Sequence, residues 1–135
     1  MFDTVNSFSR DKLNEISGKI IDCSIRVHTE LGPGMLEGAY QTCLMHELIE
    51  AGFDVQSQLK LPIVYRGIEL DAGYRIDLLV QGSVIIELKA IDRLLPVHEA
   101  PLLSYLRMSD LRLGLLINFN VKRLVDGVRR VVNNF

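Results

Sequence analysis

The sequence predicts an α/β or α+β domain, a central mixed sheet flanked by helices, and three observations carry that expectation. Two helical apolar periods fill the first third of the chain. Four segments of strand character follow, separated by short glycine-containing turns. A further helix then leads into a wholly apolar run, Leu113 to Ile117, as expected of a strand buried on both faces. The expected order is α-α-β-β-β-β-α-β-α.

The first helix is expected from about Arg10 to Leu31, because Leu13, Ile16, Ile20, Cys23, Val27 and Leu31 recur at three- and four-residue steps. Ser9 and Lys12 form an imperfect cap, and Asp11 and Glu15 suit the positive end of a helix dipole. Leu31-Gly-Pro-Gly34 stops the helix. The second, about Leu36 to Ala51, places Leu36, Tyr40, Leu44 and Leu48 one turn apart and ends at Gly52.

From Phe53 the period changes. Val55 to Tyr65, Ile68 to Asp71, Tyr74 to Val80 and Ser83 to Ala90 read as strands, broken at Arg66-Gly67, Ala72-Gly73 and Gln81-Gly82. Pro62 makes the first an edge strand or an interrupted one. Such short turns give an antiparallel meander. Pro96 and Pro101 bracket the start of a helix running to about Ser109, with Pro101 expected in its first turn, where a missing N–H costs nothing. Val121 to Val132 is expected to close the chain as an amphipathic helix. Leu124, Val128 and Val131 lie on its apolar side, and Lys122, Arg123, Arg129 and Arg130 make it basic.

At 135 residues the chain is expected to be one domain, 1–135. The apolar share of 48% with 24% charged excludes a disordered or collagen-like chain. No apolar run approaches the ~20 residues of a membrane span. The stretch Met1 to Phe8 lacks a basic segment followed by an apolar one, so a cytoplasmic protein with no membrane partner is expected. Cys23 and Cys43 form no C-x-x-C pair, which leaves them as small apolar residues rather than zinc ligands. Fifteen Lys and Arg against 17 Asp and Glu, net −2, exclude a surface coated in positive potential.

The chemistry concentrates in Tyr74-Arg-Ile-Asp77-Leu-Leu-Val80 and Val84-Ile-Ile-Glu87-Leu-Lys89-Ala90. Strand side chains alternate, so Glu87 and Lys89 share one face while Ile86 and Leu88 share the other. A two-residue turn at Gln81-Gly82 pairs Asp77 with Ile86; a three-residue turn, Gln81-Gly82-Ser83, pairs it with Glu87. The second is preferred, because the first sets a charge among apolar residues. Adjacent carboxylates repel, and a divalent cation relieves them. Mg²⁺ takes such oxygen ligands, polarises a phosphodiester and lowers the pKa of bound water, with Lys89 placed to orient that water or stabilise developing charge. The spacing alone is equally met by a surface Glu-Lys pair beside an unrelated aspartate.

Asp77 followed by Glu87-Leu88-Lys89 resembles the core motif of the PD-(D/E)XK nuclease superfamily. Gly34-Met-Leu-Glu37-Gly-Ala-Tyr40 is similar to the signature of its GxxExxY branch, and Ser104-Tyr105-Leu-Arg107 and Gly114-Leu-Leu-Ile-Asn118-Phe119 extend the likeness from about Ile16 to Val132. The resemblance implies a restriction-endonuclease-like core and hydrolysis of phosphodiester bonds in DNA or RNA. It implies Glu37, Asp77 and Glu87 as acidic site residues, Lys89 as the catalytic lysine, and the Leu88 carbonyl as a further ligand to Mg²⁺, or Mn²⁺ in its place. Glu37 shares a helix face with Tyr40, Gln41 and Leu44 and is expected to point inward.

Tyr105 and Arg107 are candidate substrate contacts, on different sides of a helix, so at most one faces the site. His98, near the start of that helix, is expected to cap it or meet solvent, with phosphate contact the alternative. Pro101 stands where relatives usually carry glutamine, an amide able to hydrogen-bond water or substrate. Gln41 is the candidate substitute. Two readings stay open: a metal-dependent nuclease, and a nuclease-fold binding or assembly module without catalysis. A homodimer that frames a duplex suits either.

Overall fold

The computed structural model describes residues 4, 5 and 7–135. Met1, Phe2, Asp3 and Asn6, part of the stretch read for a leader, lie outside the described residues. Helix α1 spans Arg10–Leu31, with the expected ends. The Ser9 hydroxyl accepts the Lys12 N–H at 3.1 Å, and Gly32, at φ 67°, closes the helix by donating to the His28 carbonyl. Helix α2 spans Glu37–Glu50 and buries Tyr40, Leu44 and Leu48. Tyr40 stacks on Phe119 with ring centroids 4.6 Å apart. Its hydroxyl donates to the Gly32 carbonyl at 2.6 Å and accepts the Met35 N–H at 3.0 Å. The tyrosine therefore fixes the loop that aims the start of α2.

Seven strands follow the helical pair, namely β1 (Val55–Lys60), β2 (Ile63–Tyr65), β3 (Ile68–Leu70), β4 (Arg75–Val80), β5 (Val84–Lys89), β6 (Leu113–Asn118) and β7 (Val128–Val132). Five form one sheet in the order β1-β4-β5-β6-β7; β2 and β3 pair as a separate hairpin, so the expected meander is interrupted and β4 pairs with β1 rather than β3. Strand β1 ends two residues before Pro62 and lies at the sheet edge, as the proline predicts. All pairings are antiparallel except β5 with β6, which helix α3 (Pro96–Ser109) joins by a crossover. Helices α1 and α2 cover one face of the sheet over Leu78, Val80, Val84, Ile86, Leu88, Leu115 and Ile117. On the other face α3 sets Leu102 and Leu106 against Ile76, Leu79, Ile85 and Leu116. The result is the expected α/β, restriction-endonuclease-like architecture. No described helix is long and apolar enough to cross a membrane.

Two further expectations are corrected. Val121 to Val132 is not a helix: a single 3-10 turn, Leu124–Gly127, leads into β7. Without β7, one edge of the fully buried β6 would leave backbone N–H and C=O groups unpaired. The valine-rich run suits a strand, and Gly127 lies so near the Asn118 carbonyl oxygen that a Cβ there would overlap it. The basic residues follow this change. Arg129 and Arg130 sit on an edge strand three places from β4, roughly 14 Å across the sheet. Arg130 bonds Asn14 at 2.6 Å and stacks over Phe135.

Pro101, in turn, is the sixth residue of α3 rather than part of its first turn. It leaves the Val97 carbonyl without its usual intrahelical partner, and because Pro101 is exposed, water can serve instead.

Candidate active site

The turn after β4 has three residues. Val80 pairs with Val84, Leu79 with Ile85 and Leu78 with Ile86, a register that sets Asp77 across from Glu87. Here side chains replace the backbone ladder. The Asp77 N–H donates to Glu87 Oε1 at 3.2 Å, and the Leu88 N–H donates to Asp77 Oδ2 at 2.8 Å. Each carboxylate is thus held by the neighbouring strand through one oxygen.

The sheet is bent at this point. Strict alternation would keep Ile76, Leu78 and Val80 on one face, yet Ile76 packs under α3 while Leu78 and Val80 pack under α1 and α2. Strand β4 therefore turns over at Asp77. Its neighbour β1 does the same: Val55 packs toward α1 and α2, Leu59 toward α3, and between them Gln58 adopts a positive φ of 52°. Ser57 pairs with Leu78 and Leu59 with Ile76, but Gln58 and Asp77 are not paired. A strained non-glycine residue beside two acids is the kind of irregularity that re-aims side chains at functional sites.

Gln58 uses that conformation. Its Nε2 donates to Gln41 Oε1 at 2.9 Å and reaches Asp77 Oδ1 at a longer 3.5 Å. An amide from β1, held by one from α2, thus faces the acid pair. Nothing in the sequence marks Gln58, since a left-handed glutamine has no local signature. Asn118 belongs to a segment that carries the family likeness, but the sequence assigns it no role. Buried next to Lys89 across β5 and β6, it accepts the Ile91 N–H at 3.1 Å and donates to the Ile91 carbonyl at 2.9 Å, which fixes the chain just past Lys89.

Glu87 and Lys89 lie on the α3 side of β5, and Ile86 and Leu88 are buried beneath α1 and α2, as alternation requires. Burial pushes the Glu87 carboxyl up to about 8, the nearby Asp77 charge adds to the rise, and the Lys89 ammonium opposes it. Tyr105 looks toward the same place, its phenol raised by burial and then by the Glu87, Tyr74 and Asp77 charges. Arg107, two residues on and so about 200° round the helix, is exposed on another side. His98 caps α3, its Nδ1 accepting the Leu95 N–H at 2.8 Å. Glu37 does not point inward as expected: it is the exposed first residue of α2, one turn before Gln41, where a carboxylate meets solvent and the positive end of the helix dipole.

Among the described residues no three His, Cys, Asp or Glu side chains converge as a preformed metal cluster. The donor set still fits a divalent ion. Two hard carboxylates face each other, each with one oxygen held by a backbone N–H and the other turned from that bond. Water and substrate oxygens complete such a sphere.

A family model described as the PD-(D/E)XK nuclease superfamily matches residues 14–131. No curated protein and no solved structure shows significant similarity to the chain.

Proposed function

The chain belongs to the PD-(D/E)XK nuclease superfamily, and from that premise we propose that it hydrolyses phosphodiester bonds in DNA or RNA with Mg²⁺, or Mn²⁺ in its place. One observation carries the reading. Asp77 and Glu87 oppose each other across β4 and β5, and Lys89 follows on the same face as Glu87. Asp77, Glu87 and the Leu88 carbonyl would hold the ion, and Glu37, exposed at the start of α2, is the further acidic candidate. When bound, the ion supplies charge neutralisation and Lewis-acid polarisation of the phosphodiester.

The chain's own residues do the rest. Lys89, steadied by the Asn118–Ile91 clasp, presents an ammonium to the attacking water or to the charge that builds on phosphorus oxygens. Gln58, braced by Gln41, offers an N–H that keeps Asp77 Oδ1 oriented. That amide, from β1 rather than α3, serves where the α3 glutamine is missing. Tyr105 closes the α3 side.

The test is cleavage of labelled oligonucleotides with Mg²⁺ or Mn²⁺. Activity is expected to vanish with chelator and to fall by about 10²–10³-fold in Asp77→Asn. Cleavage that Asp77→Asn and Glu87→Gln leave intact overturns this site. The non-catalytic reading draws on Pro101. It predicts a folded chain inert with every divalent ion, and no Mn²⁺ binding by calorimetry that Glu87→Gln removes.

A further inference from the structure

Beside the acid pair, α3 and the segment entering β4 enclose a groove of about 460 Å³. Ile63, Tyr74, Val97, Pro101, Tyr105 and Met108 form most of its wall, and no charged side chain lines it among the described residues. Tyr74 meets Tyr105 edge to face, their centroids 5.8 Å apart. The volume falls within the roughly 300–1,000 Å³ usual for small-molecule sites. Tyr74 lies just before β4 and three residues ahead of Asp77, at most roughly 10 Å along extended chain. Groove and acids are therefore parts of one surface, within reach of neighbouring nucleotides on one strand.

Resting on the hydrolytic reading above, we infer that this groove receives an unpaired nucleobase next to the scissile phosphate, so that the substrate is single-stranded or locally unpaired nucleic acid. The chemistry divides cleanly. A phosphate needs cations, which the groove lacks, and the phosphodiester belongs at Asp77, Glu87 and Lys89. The uncharged part of the nucleotide is left for the groove, where tyrosine rings and the proline ring give stacking and apolar contact that any base accepts.

A paired duplex cannot use such a groove. Its bases are stacked on one another and expose only edges, so a base must be unpaired or flipped before it can present a face. The charge balance agrees. Duplex binding draws chiefly on many phosphate contacts, and a chain whose 15 Lys and Arg are offset by 17 Asp and Glu has no net positive charge to drive it. Stacking on aromatic rings supplies affinity that does not depend on them.

The experiment titrates the full chain, with Ca²⁺ in place of Mg²⁺, against single strands carrying 2-aminopurine at successive positions. Quenching at one position is expected, with binding weakened about 10- to 100-fold by Tyr105→Ala or Tyr74→Ala and restored by Tyr105→Phe. Tyr74 is 43% exposed, so its variant keeps the test open should Tyr105→Ala fail to fold. A strand abasic at that position, or the matched duplex, is expected to bind as poorly as the alanine variants.

Equal affinity for duplex and single strand, or quenching indifferent to both tyrosines, overturns the inference. So does self-association that Tyr74→Ala abolishes without any nucleic-acid binding. Tyrosine-dependent quenching without cleavage in any metal supports the base site while overturning the hydrolytic reading. Cleavage of duplex with no preference for single strands does the reverse.

Discussion

The Asp77 backbone N–H donates to the Glu87 carboxylate at 3.2 Å, so one acid of the pair is anchored by the main chain of the other. Together with the Leu88 N–H on Asp77 Oδ2, this exchange holds two repelling groups on facing strands. The fold supplies the proximity; a proton or a cation must make it tolerable.

Stability of the metal-free chain should therefore depend on pH through Glu87. Its folded carboxyl titrates near 8 against an ordinary 4.5, so between those values the folded state holds a proton that the unfolded state has lost. Stability then falls as pH rises across that window and levels off above it. The loss is of order 3 kcal/mol, because part of the side chain still meets water. Thermal unfolding at pH 5, 7 and 8.5 should show Tm dropping in the wild type more steeply than in Glu87→Gln. Parallel profiles for the two proteins would rule this out. Added Mg²⁺ should raise Tm most at the alkaline end, where no proton has to be displaced.

Gln58→Gly should separate stability from activity. Glycine takes a φ of 52° without the penalty glutamine bears, about 1 kcal/mol, so the variant should melt at the same temperature or higher. It also removes the amide that reaches Asp77, and cleavage should fall about tenfold. A variant both less stable and fully active would sink the assignment of Gln58 to the site.

Pro101→Gln should gain on two counts. It restores the helix bond to Val97, worth about 1–2 kcal/mol here, and places an amide one turn before Tyr105 on the groove wall. Denaturant midpoints should rise equally for Pro101→Gln and Pro101→Ala, whereas cleavage should rise only with glutamine.

Gly127→Ala should destabilise by about 3 kcal/mol, because its Cβ meets the Asn118 carbonyl oxygen, a backbone atom that cannot swing aside. Gly114→Ala should cost less. The nearest atom there, at 2.8 Å, is a methyl of Leu102, which can shift. Urea unfolding of both variants tests the ranking.

What could be read from sequence followed from local physics. The ends of α1 were written in Ser9, the apolar stripe and Gly32, and the pairing of Asp77 with Glu87 followed from the cost of burying a lone charge. Local pattern misleads where distant contacts decide. Leu124, Val128 and Val131 carry a helical period, but the unpaired edge of β6 draws Val128–Val132 into the sheet. The proline rule placed Pro101 in a first turn, while helix exposure lets it sit in the second. Gln58 was beyond reach, because the turnover that gives it meaning exists only once β1 and β4 lie side by side.

That turnover also decides how the site depends on the rest of the molecule. Because β1 and β4 change faces at Gln58 and Asp77, the acids stand where two separate apolar cores adjoin, with α2 contributing an amide from one and α3 a tyrosine from the other. Neither core can shift against the sheet without moving one wall of the site relative to the other. The two carboxylates thus work as a gauge of how the layers are seated, and a substitution buried in either layer can detune the chemistry while touching none of the residues that perform it.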